Sequence, residues 1–173
     1  GGGVDTLDFL DTSGQRITLN LGVTVTQTVN PNLRLKLSSA STFENARGGA
    51  RNDVLKGNAL ANLLDGRAGS DTLYGYAGKD TLYGGAGNDV LRGGAGDDVT
   101  NAGDGDDRVH DEDGNDTIWG QAGNDEIYGG AGDDTIFGED GNDAIYGEAG
   151  SNWLEGNAGN DYVRAMQHPD IEF

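Results

Sequence analysis

From Gly48 to Arg164 an aliphatic side chain returns every nine residues: Leu55, Leu64, Leu73, Leu82, Leu91, Val109, Ile118, Ile127, Ile136, Ile145, Leu154 and Val163. Thr100 is the one exception. Two residues before these positions stand Asp53, Asp71, Asp80, Asp89, Asp98, Asp107, Asp116, Asp125, Asp134, Asp143 and Asp161, and Asn62 and Asn152 complete the series. From Asp71 onward a Gly precedes each of them by two residues, so thirteen nonapeptides run without insertion or deletion. A period of nine fits neither a helix nor a run of hairpins. It fits a three-residue strand, x-U-x, with one aliphatic (U) inward, followed by a six-residue glycine-rich turn. Two units make an 18-residue coil whose strands lie on opposite sides, so the aliphatics of two sheets meet in a thin core. Coils stacked at ~4.8 Å give parallel sheets roughly 30 Å long. The predicted fold is all-β, a parallel β-roll (β-solenoid) with two nonapeptides per coil.

The N-terminal part has a different rhythm. Ile17, Leu19, Leu21, Val23 and Val25, then Val29, Leu33, Leu35 and Leu37, alternate with polar residues. That is the period-two signature of half-buried strands, expected here as longer coils capping the roll, whose open end would otherwise present unpaired strand edges. The chain therefore divides into a capping region (1–47), the roll (48–164) and a tail (165–173). Only ten residues follow Val163, with no strong cap among them, which leaves end-to-end stacking of rolls as a further possibility.

Charge sharpens the picture. The 173 residues carry a formal net charge of −19, with 32 Gly, 2 Pro and no Cys. The capping region is neutral, so the excess lies almost entirely in the repeats. Leu, Ile, Val and Phe make up fewer than one residue in five, a composition that with this charge would ordinarily remain disordered. Stacking places Asp71, Asp89, Asp107, Asp125, Asp143 and Asp161 in one ladder and Asp80, Asp98, Asp116 and Asp134 in another. Carboxylates ~4.8 Å apart repel, and one aliphatic per nine residues cannot overcome that. A hard divalent cation between neighbouring turns resolves the conflict. Calcium suits, because it takes 6–8 oxygens in irregular geometry, whereas magnesium demands a tight octahedron. The competing account is a metal-free solenoid whose Asp residues only make Asx turns.

The unit reads G-G-x-G-x-D-x-U-x, as in Gly84-Gly85-Ala86-Gly87-Asn88-Asp89-Val90-Leu91-Arg92. It resembles the repeats-in-toxin (RTX), or haemolysin-type, calcium-binding nonapeptide. The approach segment Phe43–Gly49 and a degenerate outlying motif at Gly1–Phe9 are also similar to that family. The resemblance implies calcium held by Asp side chains of repeats n and n+2 together with turn carbonyls. The Asp set is the one above, with Asp53 weaker because Arg51 replaces the turn Gly. The carbonyls are those of Gly75, Ala77, Lys79, Gly84, Ala86, Asn88, Gly93, Ala95, Asp97, Gly120, Ala122, Asn124, Gly129, Ala131, Asp133, Gly138, Asp140 and Asn142. Complete Asp pairs 18 apart imply about nine Ca²⁺ ions, with folding and binding a single event. The resemblance further implies an extracellular protein exported by type I secretion, unfolded in low cytosolic calcium.

Two features depart from the pattern. Around 100–113, Thr100 replaces an aliphatic, Ala102 and Asp111 replace the first Gly, and His110–Asp113 adds acids. An extra cation site is one reading; a tolerated defect with solvated charges is the simpler one. The ninth, outward position carries Tyr74, Tyr83, Trp119, Tyr128, Phe137 and Tyr146, which suits strand stacking or a sugar- or partner-binding strip.

Several classes fall away. The acidity argues against nucleic acid, no apolar run reaches membrane-spanning length, and no Cys excludes disulfides and thiolate sites. No secretory leader, serine elbow, phosphate loop or H-E-x-x-H motif is present, and His110 and His168 lie in separate contexts, so no enzyme is expected. A chain starting at Gly1 and not at Met reads as a processed or excised piece. Three function classes fit: a calcium-folded module of a larger secreted protein, a structural or matrix protein that polymerises by coil stacking, and a polysaccharide-binding module using the aromatics.

Overall fold

The computed structural model describes residues 5–9, 15–22, 27–30, 33–35 and 44–165. The first strands are short: β1 (Thr6–Asp8), β2 (Thr18–Asn20), β3 (Gln27–Asn30), β4 (Leu33–Leu35), β5 (Asn45–Arg47) and β6 (Val54–Lys56). Then each nonapeptide yields one six-residue strand. These are β7 (Leu63–Ala68), β8 (Thr72–Ala77), β9 (Thr81–Ala86), β10 (Val90–Ala95), β11 (Val99–Asp104) and β12 (Arg108–Asp113). They continue as β13 (Thr117–Ala122), β14 (Glu126–Ala131), β15 (Thr135–Asp140), β16 (Ala144–Ala149) and β17 (Trp153–Ala158), ending at β18 (Tyr162–Ala165).

Two parallel sheets of eight strands face each other, one ordered β1-β5-β7-β9-β11-β13-β15-β17 and the other β2-β6-β8-β10-β12-β14-β16-β18. Within the repeats each residue pairs with those 18 before and after it, as Leu91 does with Leu73 and Val109. The protein is a parallel β-solenoid of 18-residue coils. Leu64, Leu82, Ile118 and Ile136 of one sheet meet Leu55, Leu73, Leu91, Val109, Ile127 and Ile145 of the other, all fully buried. Thr100 continues the first file as its one polar member.

The strands are longer than the three residues expected. Pairing runs on through the next repeat's first three residues, as in Val90–Ala95 against Arg108–Asp113, because stacked Gly-Gly segments keep the ladder spacing. Alternation is thereby extended, and the eighth residue of one repeat and the first of the next both face inward. The bend comes at the second position, where seven non-glycine residues, Tyr76 and Gln121 among them, take φ between 57 and 81°. That conformation disfavours any residue with a Cβ by roughly 1–2 kcal/mol, so the stack imposes it. Only three residues remain for the turn. At its tip Gly123 has φ 136°, and a Cβ there would overlap the Gly105 carbonyl of the preceding coil.

At the N-terminal end β1 pairs with β5 and β2 with β6. Ile17, Leu19 and Leu21 alternate inward, fully buried, and Phe9 and Leu7 join the same cluster. Arg67 reaches back to Asp8 at 3.0 Å. Val29, Leu33 and Leu35 fall on β3 and β4, which form a separate antiparallel pair; Val23, Val25 and Leu37, like residues 1–4 and 166–173, lie outside the described residues. At the other end Trp153, Tyr162 and Val163 on β17 and β18 are largely exposed.

Truncating a core rung should be costly because the core is one side chain thick. Ile118→Ala is expected to lose about 2–5 kcal/mol, and Gly123→Ala at least about 1 kcal/mol from its positive φ and the carbonyl overlap. Denaturant unfolding in excess calcium measures both; wild-type stability in either variant would contradict this packing.

Candidate metal centre

Each repeat Asp from 71 to 143 closes its turn from the inside and is at most 3% exposed. One oxygen has a fixed task. Oδ1 accepts the backbone amide of the residue 18 positions earlier, as Asp89 Oδ1 does from Asp71 and Asp125 Oδ1 from Asp107, at 2.7–2.8 Å. These bonds stitch coil to coil and do not need a metal, so this oxygen has a purely structural role, as an inter-coil acceptor and not in an Asx turn.

The other oxygen has no such partner. Oδ2 of Asp71, Asp80, Asp89, Asp98, Asp107, Asp116, Asp125, Asp134 and Asp143 is buried without a hydrogen bond. Each of these whose repeat begins with Gly sits against that Gly. A Cβ on Gly75 would meet Asp80 Oδ2 and, at 2.5 Å, the Gly93 carbonyl of the next coil. At Gly66 the same gap is bounded by Asp71 Oδ2 and the Gly84 carbonyl at 2.7 Å, and at Gly120 by Asp125 Oδ2 and the Gly138 carbonyl at 2.6 Å. The missing Cβ thus leaves an oxygen-lined cradle with two acceptors and no donor. An unpaired buried acceptor is unfavourable by about 1–3 kcal/mol, more when charged. A hard cation that binds oxygen answers that need.

Electrostatics point the same way. Burial, and for most of them the neighbouring carboxylates of the ladder, push Asp89, Asp98 and Asp125 up to about 6 and Asp71, Asp80 and Asp116 to about 7. Asp107 is pushed to about 8, by burial first and then by Asp89 and Asp125. Asp53, Asp134 and Asp143 are raised by burial as well.

The exceptions show what a rung looks like when protein donors complete it. Asp53 accepts the Ile17 amide at 2.6 Å and the Gly49 amide at 2.7 Å, so both its oxygens are satisfied. Asn62 accepts the Asn58 amide at 2.7 Å and donates Nδ2 to the Glu44 carbonyl at 2.9 Å. Asn152 donates Nδ2 to the Gly147 carbonyl at 2.7 Å, the carbonyl that faces Asp134 in the cradle inside Gly129. Asp161, on the last coil, accepts from Asp143 and is only partly buried. Eight Asp–Asp rungs therefore keep an unpaired inner oxygen: 71/89, 89/107, 107/125, 125/143, 143/161, 80/98, 98/116 and 116/134. Asp134 above Asn152 is a ninth with only one carboxylate.

The carbonyls separate by position. Those of Gly75, Gly84, Gly93 and Gly138, first in their repeats, line the cradles; Gly120 and Gly129 hold the same place below Ala102 and Asp111. Third-position carbonyls are already engaged: Ala86, Ala95, Ala122, Ala131 and Asp140 accept turn amides from Gly69, Gly78, Gly105, Gly114 and Gly123. Ala77 occupies the equivalent place on β8. Lys79, Asn88, Asp97, Asn124, Asp133 and Asn142, just before the Asp, are exposed at the turn's outer corner. Several of their side chains build a ladder of opposite polarity that the repeat did not announce, as Asn124 Oδ1 accepts the Asn142 amide at 3.0 Å. Among the described residues no three acidic or imidazole side chains converge on one point, so a cation here must draw on backbone carbonyls.

The irregular stretch divides. Glu112 and Asp113 are exposed, as a solvated defect requires, but Asp111 is fully buried. Its place on the inward alternation, two residues after Val109, explains this; a strand ending at the ninth position had put it in a turn. On the outside of one sheet His110, Tyr128 and Tyr146 stack with centroids 4.5 and 4.7 Å apart and rings nearly parallel, and on the other sheet Trp119 stacks on Phe137 at 6.1 Å. Faces pressed together along the roll leave mainly edges for solvent.

A solenoid whose buried acidic rungs lack donors is a divalent-cation-binding repeat protein. The family model of the RTX calcium-binding nonapeptide repeat matches residues 47–82, 65–100, 74–109, 101–136, 110–145 and 137–166. The chain belongs to that family, whose repeats bind calcium. No curated protein matches it.

These carboxyls hold protons more tightly folded than the ordinary 3.8. In chelator, their contribution is fully present below about pH 4 and is lost as pH rises through about 6 to 8. The far-UV β signal in EDTA is expected to fall over that range and to return with calcium at pH 8. A chelated signal that grows with pH would contradict the unpaired-oxygen geometry.

Proposed function

We propose that this chain is a calcium-folded module of an extracellular RTX protein, ordered only when calcium fills its rungs. The observation that carries the reading is the repeated buried Oδ2 facing a carbonyl with no donor between them. Asp Oδ2 from 71 to 143, the paired Asp 18 residues on, and first-position carbonyls supply the oxygens. Eight complete rungs set the principal stoichiometry, and Asp134 with Asn152 a weaker ninth. Sixteen positive charges on eight ions then oppose the formal −19.

Linkage gives the module its use. Ions that bind the folded state and not the unfolded one stabilise it by mass action, so order follows the calcium of the medium. A chain unfolded where calcium is scarce suits export by type I secretion, and folding outside would stabilise the parent protein. The module itself is non-catalytic in this reading. Among the described residues no helix is long and apolar enough to cross a membrane.

Two other readings compete. Exposed Trp153, Tyr162 and Val163 at the last coil favour polymerisation by coil stacking, which calcium-dependent fibres on electron microscopy would reveal. A polysaccharide-binding strip finds little support, because the aromatic faces it needs are used on one another.

Circular dichroism during a calcium titration at pH 8 tests the reading: a disordered spectrum in EDTA and a cooperative gain of β signal at millimolar calcium are expected. An unchanged spectrum after exhaustive chelation would overturn it. Asp89→Asn, which imitates Asn152, alters both rungs that share it, 71/89 and 89/107, and is expected to remove one to two bound ions by mass spectrometry under native conditions while keeping the coil.

A further inference from the structure

Asp111 is a carboxylate that no repeat rule places inside the roll. It holds the first position of its nonapeptide, where every other repeat has Gly except the one beginning at Ala102. Its side chain is fully buried. Oδ1 accepts the Thr100 hydroxyl at 3.1 Å from the opposite sheet and the Gly93 amide at 3.2 Å. Oδ2 is buried with no partner. The two departures from the consensus, a hydroxyl for an aliphatic and an acid for a glycine, are therefore one pair across the core.

Their placement changes the neighbouring rung. In ordinary cradles the gap inside the first Gly is bounded by an Asp Oδ2 and a neutral backbone carbonyl. Inside Gly93 it is bounded by Asp98 Oδ2 at 2.5 Å and by Asp111 Oδ1 at 3.0 Å from where a Cβ would lie. A carboxylate has taken the carbonyl's place. Two carboxylates now share a gap walled by the aliphatic core, where an uncompensated charge is strongly unfavourable.

We propose that the gap between Asp98 and Asp111 is an inner calcium site of higher charge than the other rungs, the tightest in the roll and the first to fill. The proposal rests on the calcium-rung reading. Added ligand charge tightens calcium sites, and a buried one gains most because the low-dielectric core leaves the attraction unscreened. Thr100 is a positioning residue: its hydroxyl holds Oδ1 at the gap and leaves Oδ2 free to turn towards the ion. A roll that fills here first has its nucleus near the middle, with coils to add on either side.

Competition against a chromophoric calcium chelator tests this with the full chain. Wild type is expected to keep one ion at chelator concentrations that strip the rest, with affinity at least about tenfold above them. Asp111→Asn, which retains the shape and loses the charge, should lose that tight class while the remaining rungs titrate unchanged. Should it fail to fold, Asp111→Gly with Thr100→Leu restores the consensus at both positions and should show one uniform class. An unaltered tight class in either variant overturns the proposal, as does a wild type with no tight class, which would mean that a proton neutralises Asp111. A crystal grown at limiting calcium should show this gap filled before the outer rungs; the reverse order overturns it too. A wild type that binds no calcium would instead sink the calcium-rung reading itself.

Discussion

Two oxygens face each other across a gap where a methyl group would not fit, and nothing between them donates a hydrogen. That contact, an Asp Oδ2 against the first-position carbonyl of the next coil, recurs along both sides of the roll, and the rest of the structure is arranged around it. Removing the Cβ opens the gap, and the inward phase of the strand aims the carbonyl at it. The amide held by Oδ1 leaves Oδ2 no freedom to turn away. The geometry that makes the coil stack is the geometry that leaves Oδ2 without a donor.

Residues that break the pattern demonstrate the constraint, because each relieves it differently. Asn152 puts an N–H into the gap and bonds the carbonyl directly. Asp53 finds two amides where the N-terminal strand and Gly49 supply them. Asp53 is thereby left without a deficit and the Asn152 rung with only the Asp134 Oδ2 unpaired, and both lie at or near the ends of the roll. Asp111 goes the other way and deepens the deficit in the middle. The deficit is thus graded along the roll, absent at Asp53 and greatest near the centre.

The supporting ladders are cheaper in kind. Polar fifth-position side chains such as Asn124 accept amides of the following coil while sixth-position Asp residues accept those of the preceding one, so these turns are tied in both directions. Outside, His110, Tyr128 and Tyr146 stack as cross-strand neighbours do. None of these interactions neutralises charge. They define where the coils sit once the rungs allow them to approach.

Period, coil length, sheet assignment and the identity of the rung acids were all legible in the sequence, because a strict nine-residue phase leaves each of them a single solution. Leu91 had to stack between Leu73 and Val109 once the 18-residue coil was accepted. What the phase cannot state is how far the strand runs past the ninth residue, since Gly-Gly reads equally as turn or as ladder. That ambiguity put Asp111 at the surface and the first-position carbonyls in a loop. Only the stacked backbone, continuing its pairing through three more residues, turned the former into the core and the latter into the gap. The folded backbone also decided which acids lack a donor: Asp53 and Asp71 both hold the sixth position and both have Oδ1 satisfied, but only Asp53 receives a second amide, that of Gly49, at Oδ2.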